Sequence, residues 1–298
     1  MHPPNRGKAL LLINPYSRRG ALESEPCRQL LQRAGLEVVQ PEVPEGTSAS
    51  NAIQAYASQV DRVIVGGGDG SLNGAVAGLI QTGLPLGVLP LGTANDFART
   101  MGIPRDMEGA VRVACGAHTV GVDLGLANGN PFFNVASIGF SADLASSLTA
   151  CAKRRWGKLG YAITAARILA ASNLFGATLE HDGTVEKLRT FQVSVGNGRY
   201  YGGGMAVHHD ATAMDGLLDF YSLEVSHWWR LLWLLPAIRK GTHSQWDEVR
   251  AFSTKALTIR TRTERPVNLD GELRTQTPVV FKLAERAVKV FLPETPSP

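Results

Sequence analysis

The sequence predicts an α/β N-terminal domain built on a parallel sheet, followed by a second domain that is mainly an antiparallel β-sandwich. Over the first 125 residues, short apolar runs alternate with segments of helical spacing, which is typical of a parallel sheet covered by helices on both faces. After about residue 125, strand-like segments follow one another with few helices between them, which favours an antiparallel sheet or sandwich. The expected domains are therefore 1–125 and 126–285, with a C-terminal strand in 286–298 as a candidate to complete the first.

The elements of the first half alternate strictly between strand and helix. Each strand is a run of three to five mainly apolar residues, too short for a helix and suited to burial on both faces. The predicted strands are Ala9 to Ile13, Leu36 to Val39, Val63 to Val65 and Leu86 to Leu89. Helical spacing of apolar residues predicts the helices 21–34, 48–60 and 71–80, and a further helix from Ala94.

The second half reads as a series of strands, several of which alternate apolar and polar residues with the period of a half-buried strand. These strands are 132–140, 189–195, 217–225, 256–261, 279–283 and 288–292. Two helical stretches, 158–172 and about 226–240, interrupt them. The second stretch contains three tryptophans flanked by Arg and Lys, which fits either an interfacial helix or a helix packed on the domain.

The amino-acid composition favours some classes of protein and argues against others. Among the 298 residues, 44% are hydrophobic, enough for a large core, and 30 Lys and Arg against 26 Asp and Glu give a net charge of +4. This mild excess of positive charge does not suggest a nucleic-acid-binding protein but fits one that visits anionic surfaces.

Cys27, Cys115 and Cys151 lack CxxC spacing, so we expect neither disulfides nor a zinc site. No apolar stretch reaches the roughly 18 residues of a membrane span. A cytoplasmic protein, soluble or peripheral at the inner membrane face, is the expectation.

The strongest local signal is the segment Val63 to Asn73, in which a buried strand enters a glycine-dense turn and leaves as a helix. Glycines let backbone N–H groups approach an anion, and the helix N-terminus adds a positive partial charge, so the segment predicts a phosphate site. The Rossmann fingerprint fails, because the register from Gly68 ends on Asn73. A Walker A sequence is also absent, since Lys8 is followed by Ala9.

Two further polar turns follow predicted strands. One is Leu89 to Arg99, and the other is Asn14-Pro15-Tyr16-Ser17. Because the carboxyl ends of parallel strands meet in one crevice, where ligands bind, the three turns can line a single cleft. Each turn alone could be an ordinary capped turn, and Thr93 is as good a candidate for a helix N-cap as for a ligand contact.

Six segments in this order resemble the diacylglycerol kinase catalytic domain of bacterial lipid kinases and span nearly the whole chain. They are Asn14-Pro15-Tyr16-Ser17, Gly67-Gly68-Asp69-Gly70-Ser71, Leu91-Gly92-Thr93-Ala94-Asn95-Asp96-Phe97-Ala98, Tyr201-Gly202-Gly203-Gly204-Met205, Asp215-Gly216-Leu217-Leu218-Asp219 and Asp270-Gly271-Glu272. The sequence departs from the family at Ser71, where relatives have threonine. It also departs after Ser17, where Arg18-Arg19-Gly20 replaces a glycine and leaves the geometry of the first nucleotide loop open.

The resemblance implies an NAD kinase- and diacylglycerol kinase-like fold and a site for ATP with Mg²⁺. Asp69 and Asp96 would lie near the phosphates, and Glu272 would be the general base. Asp215, with the carbonyls of Thr212 and Leu217, would hold a structural Mg²⁺. The residues expected to line the nucleotide site are Asn14, Pro15, Ser17, Gly66, Gly67, Gly68, Gly70, Ser71, Leu72, Asn73, Thr93 and Asn95.

The implied activity is phosphoryl transfer from ATP to a lipid hydroxyl, with diacylglycerol or a phosphatidylglycerol-like lipid as acceptor. The implied partner is a lipid at a membrane surface rather than nucleic acid, and a homodimer is one of the assemblies left open. Two alternatives stand beside it: a soluble kinase of the NAD kinase type, and a nucleotide sensor without turnover. Without the resemblance, the residues alone predict ordinary hairpin turns at Asp215-Gly216 and Asp270-Gly271.

Overall fold

The computed structural model describes residues 7–13, 20–41, 48–143, 174–198, 200–201, 205–206, 213–225, 246 and 248–294. The chain divides into two compact units. The first unit comprises residues 1–124 and 285–298, and the second comprises residues 125–284. The predicted helices 158–172 and 226–240 lie outside the described residues.

The first unit is built on a parallel sheet whose central strands are almost fully buried. Its strands are β1 (Lys8–Ile13), β2 (Glu37–Val39), β3 (Arg62–Gly67) and β4 (Leu86–Pro90), in the order β2-β1-β3-β4. The pairs Leu11↔Ile64 and Ile64↔Gly87 fix the register of the three inner strands. Short strands of this kind need apolar side chains on both faces, because helices cover both.

In the described part of the first unit, three α-helices connect these strands and two more follow β4. They are α1 (Gly20–Arg33), α2 (Ala49–Tyr56), α3 (Asp69–Thr82), α4 (Asp96–Thr100) and α5 (Met107–Ala114). Side chains cap two of them: Ser48 Oγ accepts from Ser50 N at α2, and Asp106 Oδ1 accepts from Gly109 N at α5. Helix α3 ends at Gly83, which adopts the left-handed conformation with φ of 67°. Local capping therefore sets several of the helix ends.

The second unit is antiparallel. Its longer strands include β5 (Thr119–Ala127), which begins in the first unit, β6 (Asn130–Phe132), β7 (Val135–Gly139), β8 (Phe175–His181), β9 (Thr184–Thr190), β10 (Gln192–Gly196) and β13 (Leu218–Leu223). The others are β14 (Val249–Thr254), β15 (Ala256–Thr261), β16 (Pro266–Leu269), β17 (Glu272–Gln276) and β18 (Val279–Phe291), with the two-residue strands β11 (Tyr200–Tyr201) and β12 (Met205–Ala206).

Two antiparallel arrays form the sandwich of the second unit. One is the six-stranded sheet β14-β13-β10-β7-β16-β17, and the other contains β9, β8, β15 and the first part of β18. Their inner faces share one apolar core that includes Ile138, Val193, Phe220, Ile259 and Phe281. The predicted fold class, a parallel α/β unit plus an antiparallel β-sandwich, is thus confirmed.

Several strand boundaries differ from the prediction. The predicted strand 189–195 is two strands, because Arg189 and Thr190 end β9 and the chain then enters β10 in the other sheet. Phe191, between them, donates its N–H to Leu223 O and accepts at its own carbonyl from Phe140 N. The predicted strand 132–140 is likewise split between β6 and β7.

Conversely, the predicted strands 279–283 and 288–292 form one strand, β18. Arg286, near its middle, has a positive φ of 50°, which interrupts the alternation of buried and exposed residues. The N–H of Arg286 donates to the buried Asp123 Oδ1 at 2.7 Å. Beyond this point Val290 pairs in parallel with Leu86 of β4, so the chain returns to complete the sheet of the first unit.

The described cysteines, Cys27 and Cys115, are buried and free. Burial, together with the charge of Glu23, raises the pKa of the Cys27 thiol to about 11. Cys27 Sγ lies 3.4 Å from Met107 Sδ, between α1 and α5. Such a thiol packs as a small apolar group.

Among the described residues, the helices are all too short or too polar to cross a bilayer.

Candidate active site

The glycine-dense turn lies where β3 ends and α3 begins, in direct backbone contact with the loop after β4. Gly67 O accepts hydrogen bonds from Leu91 N at 3.0 Å and from Gly92 N at 3.2 Å. A Cβ atom on Gly92 would lie 2.4 Å from Gly68 Cα, a distance that real Cβ atoms do not reach. Glycine is therefore required at Gly92 because the two loops touch backbone to backbone.

Asp69, the first residue of α3, ties these two loops together through its side chain. Its Oδ1 accepts from Phe97 N at 2.9 Å, and its Oδ2 accepts from Asp96 N at 3.1 Å. These N–H groups belong to the first turn of α4, a helix of five residues. A carboxylate that accepts the N–H groups of a helix start satisfies donors that the helix itself cannot satisfy.

Asn95 completes this arrangement from the loop side. It is the N-cap residue of α4 and adopts the left-handed conformation, with φ of 52° and ψ of 46°. Its Oδ1 accepts from Gly92 N at 2.9 Å, and its Nδ2 donates to the carbonyls of Gly92 and Pro90. The N-cap of α4 is therefore Asn95 and not Thr93, whose side chain is exposed, and the helix begins at Asp96 rather than at Ala94.

Some of the other residues of the glycine-dense turn are closely packed against neighbouring atoms, and others are not. Leu72 and Asn73 are buried, and a Cβ on Gly67 would strike Ser71 Oγ at 2.3 Å. At Gly70 an added Cβ would meet no atom within 4 Å. Gly70 is thus not demanded by packing within the described part of the chain, whereas Gly66, Gly67 and Gly68 all have close neighbours there.

The arrangement suits a phosphate group. The N-terminus of α3 presents backbone N–H groups and the positive end of the helix dipole at the carboxyl edge of a parallel sheet. Asp69 and the buried Asp96 stand beside it, and carboxylate oxygens are ligands that Mg²⁺ prefers. The donor set therefore fits a nucleotide phosphate with a divalent cation.

In the second unit, the Asp270-Gly271 pair is the two-residue turn of the β16–β17 hairpin. Both residues have positive φ, 48° and 99°, which is the geometry of the hairpin turns that favour Asp-Gly. The backbone geometry therefore agrees with the prediction, made from the residues alone, that this pair forms a hairpin turn. The side chain of Asp270, however, does more than a turn requires.

Asp270 holds the segment between β6 and β7. Its Oδ2 accepts from Phe133 N at 2.7 Å, and its Oδ1 accepts from Asn134 N at 3.0 Å and Val135 N at 2.9 Å. Asn197 Nδ2 donates to Phe133 O in the same place, at 2.9 Å. Because its carboxylate accepts three backbone N–H groups, Asp270 fixes this segment against the β16–β17 turn.

Glu272 is the first residue of β17, an edge strand, rather than part of the turn itself. Its side chain is exposed, and its Oε2 accepts a hydrogen bond from Arg274 Nη2. The two residues are two positions apart on a strand, so they share a face. Glu272 is therefore anchored through the backbone of a turn that Asp270 fixes.

The predicted second cation site is only partly described. Asp215 is exposed, and its Oδ1 accepts from Leu217 N at 3.0 Å, closing a local turn at Gly216. Thr212 lies outside the described residues, as do Asn14, Pro15 and Ser17 of the first nucleotide turn. Within the described part of the chain, no three His, Cys, Asp or Glu side chains converge as a metal site.

The structure thus brings together Asp69, Asn95, Asp96 and the glycines of both loops in the first unit. Sequence reasoning missed how Asp69 and Asp270 act. Asp69 accepts from residues 27 and 28 positions away, and Asp270 from residues 135 to 137 positions away. No local pattern reveals such partners. The sequence showed only that each aspartate lies in a predicted turn between two regular elements.

Two family domains together cover most of the chain. Residues 8–127 match the diacylglycerol kinase catalytic domain. Residues 134–292 match the domain described as YegS C-terminal NAD kinase beta sandwich-like. The first match contains Asp69 and Asp96, and the second contains Asp215 and Glu272.

Similar proteins match this chain over most of their length. The chain is 29% identical over 293 residues to a protein named diacylglycerol kinase from Staphylococcus aureus (strain bovine RF122 / ET3-1), covering 97% of this chain and 93% of that one. The homologue from strain Newman gives the same values. A crystal structure of a candidate diacylglycerol kinase from Bacillus anthracis str. Sterne superposes with a TM-score of 0.81 at 27% identity and covers 98% of both chains. The chain belongs to the diacylglycerol kinase catalytic-domain family of bacterial lipid kinases.

Proposed function

We propose that the protein is an ATP-dependent lipid kinase that transfers the γ-phosphoryl group to the hydroxyl of a diacylglycerol- or phosphatidylglycerol-like lipid. The observation that carries this proposal is the Asp69 carboxylate, which joins the glycine-dense turn to the start of α4. It holds two polar loops as one rigid edge beside a helix N-terminus. Phosphoryl transfer depends mainly on positioning and charge neutralisation, which such an edge can provide.

The phosphates of ATP would lie against the N-terminus of α3. No described residue comes within 4 Å of the Cβ position of Gly70, which would allow a phosphate oxygen to approach the backbone closely. Gly66, Gly67, Gly68, Ser71, Thr93 and Asn95 would shape the remainder of the pocket, with Asn14, Pro15 and Ser17 contributed by the first turn. Leu72 and Asn73 support the pocket from within the unit, since both are buried.

Asp69 and Asp96 are the residues that would hold Mg²⁺ with the nucleotide. When bound, the cation neutralises charge that builds up on the phosphate oxygens. The protein's own contribution is to keep both carboxylates in place. The N–H of Asp96 binds the Asp69 carboxylate directly, so the two residues cannot move independently.

Glu272 would take the proton from the lipid hydroxyl as the new P–O bond forms. A general base needs a carboxylate that solvent and substrate can reach, and Glu272 is exposed on an edge strand. Its backbone is fixed by the neighbouring Asp270, and its side chain by Arg274. The family resemblance supplies the role, and these contacts support it.

The proposal is tested by incubating the protein with γ-³²P-labelled ATP, Mg²⁺ and single acceptors. We expect label in a lipid acceptor such as diacylglycerol or phosphatidylglycerol in mixed micelles. NAD⁺ serves as the competing acceptor, because the second domain is of the NAD kinase sandwich type. Label in NAD⁺ with none in lipid would replace this proposal with an NAD kinase activity. Nucleotide binding without transfer to any acceptor would indicate a sensor.

Asp69→Asn should lower kcat by about 100-fold or more, because it removes a negative charge beside the proposed cation. It should also cost about 1–3 kcal/mol in stability, since the amide nitrogen would face a backbone donor that is now unsatisfied. Asp106→Asn is the matched control: Asp106 also accepts a helix N–H, at α5. That variant should keep full activity. Transfer at the wild-type rate by folded Asp69→Asn would remove Asp69 from the mechanism.

Glu272→Gln keeps the size of the side chain but removes the proton acceptor. We expect kcat to fall by about 10²–10⁴-fold, the usual contribution of a general base, with little change in ATP affinity. Glu264→Gln, an exposed glutamate in the loop before β16, is the control and should leave kcat unchanged. If Glu272→Gln weakens ATP binding and spares kcat, Glu272 is a nucleotide or metal ligand, and Asp96 becomes the candidate base.

Asp215, Leu217 and Thr212 are proposed to hold a second, structural Mg²⁺ through one carboxylate and two carbonyl oxygens. Adding Mg²⁺ without nucleotide should then raise the melting temperature of the wild type, because a cation that binds only the folded state stabilises it. Asp215→Ala should abolish this rise, whereas Asp182→Ala, at another exposed hairpin turn, should retain it. An equal Mg²⁺ effect in both variants would contradict the site.

A further inference from the structure

Strand β9 forms a free edge of the sandwich in the second unit. Among the described strands it lies at the end of its sheet and pairs with β8 on one side. All 7 of its residues are in antiparallel register with β8, from Thr184↔His181 to Thr190↔Phe175, without a bulge, glycine or proline. Natural edge strands are commonly shortened, bulged or interrupted, because unpaired backbone groups attract other strands. β9 is instead long and regular, so its free side can accept a further strand.

The register shows which backbone groups of β9 face the free side. The β8–β9 turn is the two-residue pair Asp182-Gly183, both with positive φ, so the two residues that flank the turn form a hydrogen-bonded pair. Hydrogen-bonded and non-hydrogen-bonded pairs then alternate along the hairpin. Val185, Lys187 and Arg189 occupy non-hydrogen-bonded positions, and their N–H and C=O groups therefore point away from β8. An added strand can form hydrogen bonds with all three residues.

The same three residues carry exposed side chains on the outer face of the sandwich. Alternate residues of a strand point to opposite faces, and Leu188 enters the apolar core. Val185, Lys187 and Arg189 therefore point outward, and all three are exposed. Every second side chain of an added strand would lie directly beside them. Those side chains would meet one apolar residue and then two cations, spaced two positions apart along the strand.

The carboxylates of β8 and β9 are engaged with other cations. Glu180 pairs with Arg260 at 2.9 Å between Oε1 and Nε. Glu186 points to the inner side of β9, where it pairs with Arg250 of β14. Opposite charges placed across neighbouring strands stabilise their pairing, and like charges destabilise it. The free edge therefore favours a strand that carries carboxylates at alternate positions.

The charges of β9 disfavour a second copy of the chain at this edge. If two β9 strands paired in antiparallel fashion about Lys187, the two Lys187 side chains would lie opposite each other. A shift of the register by one pair would instead set each Lys187 opposite an Arg189. Both arrangements place like charges across the strands, and the outward residues of β9 include no carboxylate to compensate them. The edge thus discriminates against itself and in favour of an acidic strand.

Contacts on the inner side hold β9 in place. Arg250 pairs with Glu186 and also with Glu224, whose Oε1 lies 2.8 Å from its Nε. Leu188 is buried in the core that the two sheets share. These contacts tie β9 to β14 of the opposite sheet. Such a preorganised edge needs little further ordering when a partner strand binds.

We propose that β9 binds an extended acidic segment of another protein by strand addition. The segment would pair its backbone with Val185, Lys187 and Arg189, and it would place carboxylates opposite the two cations and an apolar side chain opposite Val185. In this mode of recognition the main chain supplies affinity, and the alternate side chains supply specificity. The site is independent of the proposed kinase function, because none of the residues assigned to that function belongs to β8 or β9.

The test measures the binding of fluorescent synthetic peptides to the full chain by anisotropy. The acidic peptide is Thr-Glu-Val-Glu-Val-Val-Thr, which has the length of β9. In antiparallel pairing its two Glu residues lie opposite Arg189 and Lys187. A basic peptide has Lys in place of both Glu residues. A third peptide is the acidic one with N-methyl groups on the Glu amides, which would face β9. We expect the wild type to bind only the acidic, unmethylated peptide.

Charge reversal on the edge should reverse this preference. Lys187→Glu/Arg189→Glu should weaken binding of the acidic peptide by about 10-fold or more, and it should bind the basic peptide instead. Arg33→Glu/Arg105→Glu makes the same change in net charge at exposed positions of the first unit and should behave like the wild type. Melting curves verify that both variants are folded.

A proline at position 185 tests the backbone contacts. Val185→Pro removes an N–H group that faces the free side and leaves the hydrogen bonds between β8 and β9 intact, as in natural edge strands that contain proline. It should weaken binding of the acidic peptide by about 2- to 10-fold, the value of one hydrogen bond. Val185→Thr, which keeps the N–H group, is the control and should bind like the wild type.

Several results would overturn the proposal. One is equal binding of the acidic and basic peptides by the wild type, and another is equal binding of the methylated and unmethylated acidic peptides. Absence of binding at about 1 mM acidic peptide would also overturn it. A dimer of the wild type in sedimentation that is lost in Val185→Pro would assign the edge to a second copy. These arms hold whether or not the chain phosphorylates a lipid, so failure of the proposed function remains a separate result.

Discussion

The first unit depends on the two hydrogen bonds that the Asp69 carboxylate accepts from Asp96 N and Phe97 N. They bind the start of α4 to the start of α3, so the loops that follow β3 and β4 form one structure. Gly92 allows this because any larger residue would strike the backbone of Gly68. Parallel strands guarantee only that such loops share an edge. The carboxylate converts that proximity into a fixed geometry.

In the second unit, an aspartate carboxylate again holds two segments together by accepting backbone hydrogen bonds. Asp270 accepts three backbone N–H groups from Phe133, Asn134 and Val135. Charge-assisted bonds to backbone donors are among the stronger hydrogen bonds in proteins, and here they fix a hairpin turn against a neighbouring loop. Glu272 follows two residues later, so its backbone inherits that fixed position. An edge strand alone would leave this residue less well placed.

Much of the fold was predictable, because strand and helix periodicity are local signals. Strands β1, β3, β4 and β15 lie within two residues of their predicted bounds. The two failures have opposite causes. At Phe191 the chain changes sheets without a break in its apolar pattern, so periodicity predicted one strand where there are two. Around Arg286 the alternation of buried and exposed residues is interrupted although the strand continues, so periodicity predicted two strands where there is one. At the candidate site, residue types were predictable, but hydrogen bonds between residues far apart in sequence were not.

This distinction changes how the motif carboxylates should be interpreted. An aspartate in a glycine-rich motif invites a chemical role, yet Asp69 and Asp270 are each engaged with the backbone of another segment. Loss of either side chain would therefore disturb loop geometry as well as any chemistry. Glu272 differs, since it is exposed and its described side-chain partner is the neighbouring Arg274. Phosphoryl transfer, the reaction proposed for this protein, depends mainly on positioning, so carboxylates that hold backbone in place matter as much as the proposed base, Glu272.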